Sequence, residues 1–165
     1  MGKIVKVQDS RRIFIDTLIE LAEQDDKIVL ITPDVGFNYI EEFQKKFPDR
    51  FYNTGITEEF TVIMAAAMAL DGWKPYVYSM VNFVAFRPFE MVRNAIHFHK
   101  ANVKLLGVKG SAAYKMLGFS HNMQDDTEDV DILNRYINCS IPNIDEVRNI
   151  ILSSYKDEEA HYIRL

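Results

Sequence analysis

Residues 50–70, RFYNTGITEEFTVIMAAAMAL, set the strongest constraint on how this chain can fold. Two aromatic residues, Phe51 and Tyr52, lead into Asn53-Thr54-Gly55, a turn signal. Glu58 and Glu59 follow, and behind them residues 62–70 are almost wholly apolar. The pattern is that of a strand, a tight turn and a helix buried against a sheet. Thr57 is placed to cap the helix, both glutamates fall in its first turn, and Asp71-Gly72 stops it. Ala65, Ala66, Ala67 and Ala69 permit close approach to the sheet. Acids are common at helix N-termini because the macrodipole favours negative charge there. The same position also holds a carboxylate rigidly beside the core, as a binding or catalytic group requires. Both readings of Glu58 are open on the pattern alone.

The remaining chain alternates short apolar runs with helical periodicity. Residues 11–23 carry an apolar stripe through Ile13, Phe14, Leu18 and Leu21, with Asp9 or Ser10 as cap. Residues 27–31, KIVLI, read as a buried parallel strand that ends in the loop TPDVG, which contains Asp34. A short helix is expected over 40–47, and strands over 51–52, 74–79 and 103–108. Residues 82–100 are mostly helical in pattern. Pro88 requires that the regular helix start near Arg87 or be kinked there. Residues 109–124 read as a long structured loop and 127–135 as a helix with Glu128 and Asp129 in its first turn. A strand over 136–139, a helix over 144–153 and a strand over 161–165 complete the chain. This alternation predicts one doubly wound α/β domain over 1–165, with a mostly parallel sheet and helices on both faces.

The net charge of −5 lacks the basic footprint of nucleic-acid binding. No apolar run reaches the length of a membrane span, and the first residues, MGKIVKVQDSRR, contain no signal-type apolar segment. The single cysteine, Cys139, cannot form an internal disulfide and reads as a small buried hydrophobe, which fits a reducing, cytoplasmic setting. His97 and His99 are two apart on a helical pattern and do not share a face, so no zinc site is expected.

In a parallel α/β sheet the ligand crevice lies beyond the carboxyl ends of the strands. The loops expected there carry Asp34, Glu58, residues 83–89 and residues 109–121. Phe83, Phe86 and Phe89 recur at every third position, either as a core stripe or as a stacking wall for a flat heterocycle. His121, in GFSHN, is either an ordinary loop residue or a polar group of the site. The chain has no dinucleotide fingerprint, P-loop or nucleophile elbow, so hydride-transfer and ATPase readings lose support.

Taken in order, TPDVG, RFYNTGITEE, AAAMALDGWKPY, NFVAFRPFEMVRNAI, GFSHN and HYIRL resemble the pyrimidine-binding domain of transketolase-type thiamine diphosphate enzymes. The resemblance covers nearly the whole chain. It implies that Glu58, the first glutamate of a GIxE loop, contacts the cofactor's aminopyrimidine, acting with its proton retained or shared. It implies that Phe83, Phe86 and Phe89 surround that ring. His121, flanked by Ser120 and Asn122, corresponds to a GPTHQ-like loop and would meet substrate hydroxyls or a developing alkoxide. Arg11 and Lys109 fall on the substrate side, and Asp34 at a subunit interface. Two positions depart from the family: Leu117 replaces an aspartate and Lys109 a histidine. Lys109 either neutralises an anionic substrate or is a solvated charge.

The family's GDG metal motif does not occur in this sequence. The resemblance therefore implies that the diphosphate and Mg2+ are held by a separate diphosphate-binding subunit, with no metal ligand from this chain. The last expected strand ends flush with the C-terminus, as though a further domain had been left off. The implied function is that of one component of a split transketolase-like transferase, moving a two-carbon ketol unit between sugars or sugar derivatives within a heterotetramer. A pyruvate-dependent synthase of the deoxyxylulose phosphate synthase type, or a non-catalytic assembly or regulatory subunit, are the alternatives.

Overall fold

A computed structural model describes residues 9–109, 113–123 and 125–165. Its centre is a six-stranded sheet in the order β2-β1-β3-β4-β6-β5. The strands are β1 (Ile28–Thr32), β2 (Phe51–Asn53), β3 (Lys74–Met80), β4 (Lys104–Val108), β5 (Asn138–Ser140) and β6 (His161–Arg164). Every pairing is parallel, with Leu30 opposite Tyr76, Tyr76 opposite Lys104 and Leu105 opposite Tyr162. All five residues of β1 and of β4 are buried, the expected state of central strands covered on both faces.

Side chains alternate between two cores. On one face, α1 (Ser10–Ala22), α2 (Glu41–Lys46) and α6 (Val147–Lys156) pack Phe14, Leu18, Phe43 and Ile151 onto Leu30, Tyr76 and Tyr78. On the other, α3 (Glu58–Leu70), α4 (Phe89–Met91) and α5 (Glu128–Leu133) lie over Val29, Ile31, Val77, Leu105 and Tyr162. The doubly wound reading therefore holds. Among the described residues no helix is long and apolar enough to cross a membrane.

Local departures from the sequence reading have identifiable causes. Asp9 caps α1 by accepting from the Arg11 amide at 2.9 Å. Thr57 precedes α3 but makes no cap; its hydroxyl donates to the Thr54 carbonyl at 2.9 Å and tightens the preceding turn. The strand expected from residue 136 starts at Asn138, because the amides of Tyr136 and Ile137 donate to Leu133 at the end of α5. The last helix starts at Val147 rather than at residue 144, after a turn in which the Asn143 amide donates to Glu146 Oε2 at 2.8 Å. Cys139 is half-buried rather than fully so, and burial pushes its thiol up to about 12.

Pro88 kinks the segment after β3. Wide π-helical turns at Asn82–Phe86 and Val92–His97 flank the short α4. The Arg87 amide reaches back five residues to the Asn82 carbonyl at 3.3 Å. Proline has no N–H to continue the regular ladder, and such widened turns recur at functional sites. The long loop expected after β4 falls partly outside the described residues; its described part contains 3-10 turns at Lys115–Leu117 and Phe119–His121.

Lys104 is 3% exposed, at the start of β4. It donates to the Asn102 side chain and the Glu159 carbonyl, and Asp157 lies 3.9 Å away. Burial pushes its ammonium down to about 8. Between pH 8 and the ordinary lysine value the unfolded chain binds the extra proton. Stability from this group accordingly rises with pH across that window and is lost as pH falls through 8. Lys104→Met removes the dependence. Urea titrations of both proteins should give a stability difference that moves in favour of wild type by about 3 kcal/mol between neutral pH and pH ~10.5. Parallel curves would show that Lys104 titrates normally.

Candidate active site

The loops after β1, β2, β3 and β4 all emerge beyond the same ends of the strands. The turn after β2 places Glu58 as the first residue of α3, where it is 5% exposed, while Glu59 on the next position faces solvent. Buried carboxylates need a partner for their charge. Arg87, just before Pro88, provides it: Nη1 donates to Glu58 Oε1 at 2.6 Å. Glu58 thus sits against a cation rather than in a wholly apolar surround, and its Oε2 has no hydrogen-bond partner among the described residues.

The Arg87 guanidinium also lies over the Phe83 ring, 3.6 Å from its centroid. Phe83 meets the His121 ring edge-on, with centroids 5.1 Å apart, and Tyr114 packs against His121 at 6.4 Å. Ser120 Oγ and His121 Nδ1 share a hydrogen bond of 2.9 Å. Asn82 Nδ2 donates to the Asn122 carbonyl at 3.0 Å and ties this loop to the turn that carries Phe83. A continuous set, Glu58–Arg87–Phe83–His121–Tyr114, results. Sequence reasoning missed Arg87. Its spacing of four from Phe83 and its place beside the helix-breaking proline were the available signals.

The three phenylalanines do not form one wall. Phe86 and Phe89 line a separate pocket of about 500 Å³ with Tyr136, Arg135, Asp131 and Ile132, and Phe89 meets Tyr136 edge-on at 5.6 Å. Residues three apart share a face in a regular helix or a 3-10 turn, but not through π-helical turns interrupted by proline.

Arg11, Asp34 and Lys109 converge elsewhere, around a cavity of about 330 Å³ on the α1 side of the sheet ends, with Tyr39, Tyr78 and Tyr114. Arg11 Nε donates to Asp9 at 2.9 Å and its guanidinium lies 4.2 Å from the Tyr39 ring centroid. The Arg11 guanidinium holds the Asp9 carboxyl well below the usual carboxylate range. Asp34 exchanges two hydrogen bonds with the Asn53 side chain, at 3.0 and 3.1 Å. Lys109 has φ +64°, and its ammonium lies 5.8 Å from the Tyr114 ring centroid. Gly36 allows this cavity to form: a Cβ there would meet the Tyr78 ring at 2.9 Å. Tyr114 belongs to both groups and links the cavity to His121. Leu117 and Phe119 point outward, 52% and 94% exposed.

Residues 6–163 match the profile of the family described as "Transketolase, pyrimidine binding domain". This chain belongs to that family. It is 38% identical over 117 residues to one subunit of the apulose-4-phosphate transketolase of Phocaeicola vulgatus, covering 70% of this chain and 38% of the relative. It is 27% identical over 151 residues to the putative transketolase C-terminal section of Methanocaldococcus jannaschii, covering 91% of this chain and 48% of the relative. The chain therefore spans less than half the length of these curated relatives. Among solved structures it superposes with a TM-score of 0.79 and 29% identity on a split-gene transketolase described as an inactive β4 tetramer, covering 94% of this chain and 50% of that one.

Transketolase pyrimidine-binding domains are associated with thiamine diphosphate. The residues of this domain fit the ring end of that cofactor: a buried carboxylate with one free oxygen and an aromatic ring both meet the partly exposed Arg87 side chain. Among the described residues no three His, Cys, Asp or Glu side chains converge to hold a cation.

Proposed function

We propose that this chain is the assembly subunit of a split transketolase-type enzyme. It has no turnover of its own and contributes the pyrimidine side of a site that a separate diphosphate-binding subunit completes. The non-catalytic half of this reading has the stronger support, since the similar split-gene transketolase is described as inactive in its β4 form. The observation that carries it is the outer face of α3. The inner residues Val62, Ala65 and Ala66 are buried, yet Ile63 and Leu70 are 44% and 58% exposed on the other side. Phe60, at 56%, and Ile56, at 72%, extend this face to the turn that carries Glu58. A helix apolar all round is normally buried, and contiguous exposed apolar surface marks an interface. A second copy of the chain is the partner assigned to it, since closed symmetry is the usual outcome.

Sedimentation measurements test the assignment. The wild-type chain should self-associate at micromolar concentration, and Phe60→Glu with Ile63→Glu should be monomeric with an unchanged circular dichroism spectrum. A monomeric wild type, or an unchanged oligomer in the double variant, overturns it. The isolated chain should show no ketol transfer in either form.

The catalytic half concerns what the chain adds once partnered. Bound thiamine diphosphate would supply the carbon nucleophile and electron sink for moving a two-carbon ketol unit. Glu58 would hold the aminopyrimidine ring nitrogen and govern its proton, and Phe83 would line the ring. His121, held by Ser120 and by the tether from Asn82, would hydrogen-bond substrate hydroxyls or a developing alkoxide. Lys109 would meet an anionic sugar such as a sugar phosphate at the cavity it shares with Asp34 and with Arg11, which is ion-paired to Asp9. Mg2+ and the diphosphate would rest on the partner in a heterotetramer. A purely architectural role, with Glu58 idle, is the competing reading; the burial of Glu58 but not Glu59 favours a use for the first.

A further inference from the structure

We infer that Arg87 occupies, within this chain, the place that the aminopyrimidine ring takes at the proposed site, and that it must swing out before that ring can bind. The inference rests on the proposed role of Glu58. A flat, nitrogen-rich ring at this site needs two contacts, the face of Phe83 and a hydrogen bond to the Glu58 carboxylate. The Arg87 guanidinium, itself flat and rich in N–H donors, already makes both, at 3.6 Å from the Phe83 centroid and 2.6 Å from Glu58 Oε1. The two occupants cannot share the same face of Phe83.

The burial pattern identifies which member of the set is movable. The Glu58 side chain is 7% exposed and Phe83 8%, whereas the Arg87 side chain is 39% exposed. Arg87 therefore covers the other two from the solvent side and regains water when it swings out, while the buried Glu58 carboxylate then needs the ring as its new partner. Its backbone lies at the junction of a π-helical turn and Pro88, held by the 3.3 Å bond to Asn82, so outward rotation disturbs no regular helix. The device gives the unassembled chain a paired, stable Glu58. It opens the site only when a ring or a partner competes for the carboxylate.

The test uses the isolated chain and the fragment 4-amino-5-hydroxymethyl-2-methylpyrimidine. Binding is read from the ring resonances of His121 and from titration calorimetry, in wild type, Arg87→Ala, Arg87→Gln and Glu58→Gln. The expected result is a Kd about tenfold tighter in Arg87→Ala than in wild type, with shifted His121 resonances. Arg87→Gln should show an intermediate gain. It keeps an amide donor for Glu58 but is too short to cover Phe83, and it serves as the readout should Arg87→Ala unfold. Fragment binding to both Arg87 variants no tighter than to wild type, or absent throughout, overturns the inference. If wild type binds equally well and Glu58→Gln abolishes binding, only the Arg87 inference falls and the role of Glu58 stands. The Glu58 reading is tested separately by turnover in the reconstituted enzyme.

Discussion

Glu58→Gln is expected to lower kcat/KM of the enzyme reconstituted with its partner by about 10²–10⁴-fold, the usual range for loss of a positioned acid–base group. The loss should fall on kcat, because the carboxylate acts on the cofactor ring rather than on the substrate. Glutamine keeps the shape and an acceptor for Arg87, so the local fold should survive. What it cannot do is exchange a proton at the ring nitrogen. The ion pair itself contributes modestly to stability, since the Arg87 side chain is 39% exposed and water screens the interaction. A melting curve close to wild type should therefore accompany the kinetic loss. Equal turnover in the two reconstituted enzymes would reduce this chain to architecture and remove Glu58 from the chemistry.

Asp129→Ala should be strongly destabilising although it lies outside the site. Asp129 is fully buried near the start of α5. Its carboxylate accepts from the Tyr162 hydroxyl and pairs with Arg164 Nη1 at 3.0 Å, joining α5 to the last strand. Arg164 is only 10% exposed, so removing the acid leaves a largely buried guanidinium whose remaining partner among the described residues is the Asp126 carbonyl. Breaking such a pair from one side costs about 3–5 kcal/mol. Against a typical total of about 5–15 kcal/mol, that is a large share of the stability. Urea unfolding should show a lower midpoint at unchanged slope. Asp129→Asn, which keeps the shape and acceptor capacity, should lose less, and equal losses would mean that the charge rather than packing or hydrogen bonding decides. Burial and Asp129 together push the Tyr162 hydroxyl well above its ordinary value, so the tyrosine stays a donor throughout the accessible pH range.

These two acids mark how far local pattern carries. Both stand in the first turn of a helix, where any acid is favoured, and each has an acidic neighbour in sequence. Nothing local separates Glu58 from Glu59. The separation comes from which side of the helix faces the sheet, and from partners 29 and 35 residues away, Arg87 and Arg164. The aromatic stripe failed for a related reason. Its three-residue spacing assumed regular turns, and Pro88 replaced them with wide ones, placing Phe86 and Phe89 on a pocket that Phe83 does not line. The cations Arg11 and Lys109, far apart in the chain, meet at one cavity only because β1, β3 and β4 end side by side.

Hydrophobic periodicity by itself determined the α/β class, the number and rough position of the strands, and the buried helix behind Glu58. Those features depend on burial, which each segment's own composition dictates. The ordered motifs likewise carry the resemblance to its family. Tertiary structure alone decided the strand order, the pairing of Glu58 with Arg87, the covering of Phe83 and the burial of Asp129. Each of these is a contact between segments that are distant in sequence. Its geometry is set by how the two faces of the sheet are packed, which no single stretch of residues encodes.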